Sequence, residues 1–185
     1  MTQGWNRRDF LKLSLAAGAV AGGLGFQSAV QAAETQPKKG GHLKVGIDGA
    51  ATTDQLDPAS WISGYMMVVG CAWGDTLVRT DPVSGMALPA LAESWESSEK
   101  SSRWIFQLRK DVLFHNGKTL TADDVVKTIT RHRDPKFRSG VIAYLSAIDT
   151  VAAEGNAINI KLKESNVDFP LVLSLWNLQI QPGGG

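Results

Sequence analysis

Cysteine is almost missing from this chain: one residue, Cys71, among 185. An intramolecular disulfide is therefore excluded, and so are the multi-cysteine metal sites. Cys71 sits in a small-apolar run, Val68-Val69-Gly70-Cys71-Ala72, which predicts a buried structural thiol. Three histidines, His42, His115 and His132, lie far apart and make no H-x-x-x-H pair. Serines lack a G-x-S-x-G context, and glycines lack the strand–GxGxxG–helix context of dinucleotide binding. Charge of one sign is not in excess either, with 19 basic and 18 acidic residues. That balance argues against a nucleic-acid or anionic-membrane partner. No metal ligands, cofactor or catalytic residues are therefore expected. Nothing repeats at a fixed period.

Long apolar runs are also lacking. Leu13 to Phe26 is the nearest approach, and Gly18, Gly22, Gly23 and Gly25 dilute it. It falls short of the roughly 20 residues needed to span a bilayer. Before it stand Asn6, Arg7, Arg8, Asp9, Phe10, Leu11 and Lys12, and after it Val30-Gln31-Ala32 offers small or apolar residues for cleavage after Ala32. This is the pattern of a twin-arginine export signal over residues 1–32, with Arg7, Arg8, Phe10 and Leu11 as its recognition residues and the Tat translocase as partner. Its removal takes away three basic residues and one acidic residue, so the charge stays near balance. Residues 33–41, with two lysines, a proline and two glycines, read as a linker.

What remains is of ordinary globular composition, 43% hydrophobic, and long enough for one domain with a core. His42 to Asp48 alternates, with Leu43, Val45 and Ile47 on one face, and predicts a strand. Leu56-Asp57-Pro58 predicts an Asx-type turn at Asp57. Trp61 to Trp73 is apolar at helical spacing. Asp75 to Thr80 predicts a short strand, followed by a proline turn at Asp81 to Gly85. Ala90 to Glu96 reads as a short amphipathic segment and Ser97 to Ser102 as a polar turn.

Trp104, Phe106 and Leu108 then alternate with Ile105, Gln107 and Arg109, the period of a one-faced strand. Asp111 to Phe114 starts a second strand, and Asn116-Gly117 is a strong turn signal. Thr121-Ala122-Asp123-Asp124 opens a helix, with a capping hydroxyl and two carboxylates at the positive end of the dipole. Adjacent carboxylates on a helix diverge by about 100°, so that role suits them better than metal binding. Asp134-Pro135 ends the helix. Tyr144 to Ala153 and Ala157 to Lys163 predict a hairpin around Glu154-Gly155-Asn156, its second strand cleanly two-faced. Asp168-Phe169-Pro170 starts a short apolar helix through Leu175.

The run LAESWE…W-x-F-x-LRKDV-x-FHNGK-x-LTADDVV, within Leu88 to Val126, resembles the signature region of the family 5 extracellular solute-binding proteins. These are the binding components of ABC importers for peptides, nickel and related solutes. The resemblance implies an α/β chain, mixed α+β here, of the two-lobe periplasmic-binding-protein-like fold. Residues 42–60 would give the first strand and loop of lobe one, and residues 61–185 an accessory domain. Relatives run much longer, so the chain reads as an N-terminal fragment. In the family the turn leading into the first helix lines the ligand cleft, which makes Ser60, Trp61, Ile62, Ser63 and Gly64 the candidate ligand-binding residues. Trp61 serves equally well as a helix-start core residue.

The implied function is capture of a small solute, a peptide foremost, by hinge closure and delivery to ABC permease subunits. A monomer in the periplasm is expected, with no catalysis. The competing readings are an exported enzyme and a truncated remnant that binds nothing.

Overall fold

The structure is a computed structural model, and it describes residues 40–185. Residues 45–185 form one compact unit. The expected export signal, with Arg7, Arg8, Phe10 and Leu11, and most of the expected linker lie outside the described residues.

Its centre is a four-stranded antiparallel sheet. The strands are β3 (Ala92–Ser98), β4 (Arg103–Leu108), β5 (Ile148–Glu154) and β6 (Ala157–Leu162), in the order β3-β4-β6-β5. A two-stranded antiparallel ribbon, β1 (Val78–Thr80) with β2 (Ala87–Pro89), precedes them. Four helices complete the unit: α1 (Gly64–Trp73), α2 (Ala122–Arg133), α3 (Ile142–Leu145) and α4 (Phe169–Val172).

The period-2 reading of β4 holds. Trp104, Phe106 and Leu108 are buried, and Trp104 faces Ile160 and Phe106 faces Ile158 across the β4–β6 ladder. Fully desolvated Phe106, Ile158 and Ile160 form the floor of the core, and Val125 and Ile129 of α2 cover it with Phe169 and Leu173. Each such side chain contributes on the order of 2 kcal/mol of transfer free energy. The clean two-faced reading of β6 holds except at Asn159. That residue is buried on the far face, because Arg103 donates to its Oδ1 at 3.2 Å and its amide reaches Glu154 at 3.0 Å.

The caps read from the sequence are formed. Thr121 accepts the Asp124 amide, and the Asp124 carboxylate accepts the Thr121 amide in return. Asp134 ends α2 with extended backbone before Pro135. Asn116-Gly117 turns the chain, with Gly117 at φ 79°.

Six expectations are corrected. His42 to Asp48 forms no strand, and Leu43 lies 85% exposed, since a strand without a neighbour leaves its amides and carbonyls unpaired. Ala90 to Glu96 is not a free amphipathic segment. From Ala92 onward it is an edge strand, whose polar outer side chains hide the alternation and whose register slips between Ala92 and Ser94. Leu113 makes only an isolated bridge to Thr119 instead of starting a strand. The hairpin's first strand begins at Ile148, because Tyr144 and Leu145 belong to α3, and α4 ends at Val172. Cys71 is exposed, because α1 is apolar around its whole circumference and buries only one side, through Met66 and Gly70.

Candidate functional site

The loop that leads into α1 is built from its own sequence. Asp57 accepts the Ala59 amide at 3.0 Å and starts a three-residue turn, Pro58–Ser60, as the Asx-turn reading requires. Ser60 is exposed, and its hydroxyl donates to the Asp57 carbonyl at 2.8 Å. Ser63 caps α1 by accepting the Met66 amide at 3.3 Å. Between them Ile62 is 87% exposed. Gly64 is exposed too, with open space where a side chain would stand. The amides of Ile62, Ser63 and Gly64 meet no hydrogen-bond partner among the described residues.

Trp61 takes the core role. Its ring is 2% exposed, lies 6.1 Å from Trp176 at an interplanar angle of 9°, and donates through Nε1 to the Gln55 carbonyl at 2.8 Å. Gly70 of α1 lies under this ring, and a Cβ there would overlap it. What Trp61 leaves to solvent chemistry is the backbone of the residues beside it.

Distant parts of the chain hold the loop in place. Arg131 of α2 donates to both Asp57 oxygens, at 2.9 and 2.7 Å, the two-point geometry that makes arginine–carboxylate pairs directional. The guanidinium beside it holds the Asp57 carboxyl below its ordinary range, and Arg131 is raised in turn. Asn177 is 3% exposed and donates to the carbonyls of Pro58 and Trp61, at 3.0 and 2.8 Å. Gly140 donates its amide to the Ala59 carbonyl at 3.2 Å. No local pattern in the sequence marks Asn177, Arg131 or Gly140. Asp57 before proline was the only signal, and it pointed to a turn and not to an ion pair 74 residues away.

An apolar cavity of about 220 Å³ lies elsewhere, against Trp73, Phe114, His115 and Ile180, and none of Ser60 to Gly64 lines it. His115 is exposed there, with Nε2 2.8 Å from the Trp73 carbonyl. Among the described residues no group of three or more His, Cys, Asp or Glu side chains could hold a metal ion. No described helix is long and apolar enough to cross a membrane. The arrangement offers a rigid rim of backbone donors around one exposed aliphatic side chain, which suits binding.

This mixed helix–sheet architecture is that of the periplasmic binding proteins. Residues 87–182 match the bacterial extracellular solute-binding proteins, family 5 Middle, and the chain belongs to that family. Among its relatives are the di/tripeptide-binding protein 2 of Pseudomonas aeruginosa, 31% identical over 59% of this chain, and the periplasmic oligopeptide-binding protein OppA of Haemophilus influenzae, 30% identical over 77% of it. Among solved structures, the PBP AgaA in complex with agropinic acid from A. tumefaciens R10 is 29% identical with a TM-score of 0.65, covering 69% of this chain and 26% of its own. The PBP/SBP MoaA in complex with mannopinic acid, from the same strain, is 32% identical with a TM-score of 0.62, covering 70% and 27%. The chain spans 21% and 26% of the lengths of the two named relatives.

Proposed function

We propose that this chain acts as the periplasmic substrate-binding component of an ABC importer, supplying one wall of the cleft that captures a peptide-like or related small solute for delivery to the membrane permease. The observation that carries this is the braced loop. Free amides and an exposed Ile62 stand at the entry to α1, held by Asp57–Arg131, Asn177 and Gly140. Rigid donors set in advance reduce the ordering cost of binding an extended, carbonyl-rich ligand. The relatives named for peptides support the same ligand class. Ser60, Ile62, Ser63 and Gly64 then face the solute, and Trp61 fixes the loop from behind.

We assign residues 1–32 to a twin-arginine signal, 33–41 to a linker, 42–60 to the first lobe and 61–185 to the accessory domain. No catalytic step is involved, and the working unit is a monomer. Thermal unfolding of the chain from residue 33 onward, with di- and tripeptides, opines and nickel, tests the reading. At a ligand concentration 100 times Kd the native state gains about 2.7 kcal/mol, and Tm should rise by several degrees. A flat response to every ligand class overturns it. Export is tested by replacing Arg7 and Arg8 with lysine, which should strand the precursor in the cytoplasm.

A further inference from the structure

Behind the Ser60–Gly64 loop lies a pair of side chains that solute capture does not use. His132 of α2 is 1% exposed, and its Nδ1 lies 2.6 Å from the hydroxyl of Ser139, which is 3% exposed. The same hydroxyl accepts the Val141 amide at 3.3 Å, so its hydrogen is free to donate to Nδ1. Ser139 and Val141 are thereby pinned on both sides of Gly140. Gly140 is the residue that meets the loop: its amide donates to Ala59, and a Cβ there would stand 3.8 Å from the Trp61 carbonyl and 4.0 Å from Ile62. A continuous set of contacts therefore runs from the buried face of α2 to the base of the loop.

We propose that His132 is a positioning residue for the Ser60–Gly64 loop, acting through the Ser139 hydroxyl to hold the Ser139–Val141 turn, and with it Gly140, against Ala59. Asp57–Arg131 and Asn177 fix the Asp57, Pro58 and Trp61 positions, whereas this contact fixes Ala59 between them. An exchangeable local latch of this kind is weaker than the sheet and opens independently of it. The functional meaning of the latch rests on the solute-capture reading, but its mechanics do not.

Amide hydrogen exchange by NMR on the chain from residue 33 tests it without any ligand. The Gly140 amide should lose at least tenfold of its protection in Ser139→Ala and in His132→Leu, while the amides of β6 keep theirs. His132→Asn, whose carbonyl oxygen can accept from Ser139, should restore most of the Gly140 protection. Unchanged Gly140 protection in Ser139→Ala overturns the proposal. So does a loss shared equally by β6, because the pair would then be only a core contact. Ser139→Ala removes a single oxygen and carries the test if His132→Leu does not fold. Should the wild-type chain bind no solute while Gly140 responds as expected, the positioning role stands and the solute-capture reading falls.

Discussion

At the scale of single residues, the ionisable groups around the loop give acid responses of the same sign in separate pH windows. His132 is pushed down to about 4, mainly by burial and further by the Arg131 charge, with Asp57 opposing. Its folded-state pKa lies below the unfolded value near 6.5. The neutral ring is thus the native form, and the stability it contributes is present above pH 6.5 and lost as pH falls from there toward 4. The slope is at most about 1.4 kcal/mol per pH unit. Asp57 is also lowered, chiefly by its hydrogen bonds from Arg131, so its contribution is present above its unfolded value and lost only at lower pH. Urea midpoints should therefore fall between pH 6.5 and 4.5 in the wild type and stay nearly level there in His132→Gln. Asp57→Asn at pH 7 should cost about 1–3 kcal/mol, since it removes the charged partner of an Arg131 side chain only 16% exposed.

At the scale of elements, α1 and α2 are held by different means. α2 has an apolar stripe, a capping box and basic residues in its last turn, all local devices that a reader of the sequence can find. Thr121→Ala should destabilise by about 1 kcal/mol. Asp124→Ala should cost more, because its carboxylate also accepts the Gly183 amide at 2.6 Å and ties the C-terminal turn to the helix. Its own pKa is lowered although burial raises it, because the bonds from Thr121 and Gly183 together outweigh that burial. Far-ultraviolet dichroism with urea unfolding measures both variants. α1, in contrast, depends on the absence of side chains at Gly70 and Gly74, which lie against Trp61 and Gln179. Gly70→Ala should cost about 1–3 kcal/mol through overpacking, and the loss should be visible as a shifted Trp emission.

At the scale of the whole molecule, residues 45–185 carry their own core, and within that unit residues 45–53 add little to it. Every residue from 40 to 53 except Ile47 is exposed, and among the described residues the only hydrogen bonds there join Ala51 and Asp54. A chain beginning at Asp54, which keeps the Gln55 carbonyl for Trp61, should melt within about 2 °C of one beginning at Gly40. A much larger fall would mean that the stretch packs in solution.

Local chemistry alone determined β4, the Asn116-Gly117 turn, the cap at Thr121, the stop at Asp134-Pro135 and the hairpin around Gly155. Each depends on side-chain period or on backbone preference within a few residues. The family's signature run was legible for the same reason, since it is contiguous. Tertiary structure decided the rest. The edge strand from Ala92 has polar outer residues and exists only because β4 offers it a ladder, whereas His42 to Asp48 has the right period but joins no ladder among the described residues. Cys71 looks buried by composition and is exposed by the direction α1 faces. The loop at Ser60 to Gly64 could be located from its sequence, but not what holds it: Asn177 meets Trp61 across 116 residues and Arg131 meets Asp57 across 74. Hydrogen bonds of that span leave no periodic trace, because neither partner constrains the residues beside the other until the chain has folded.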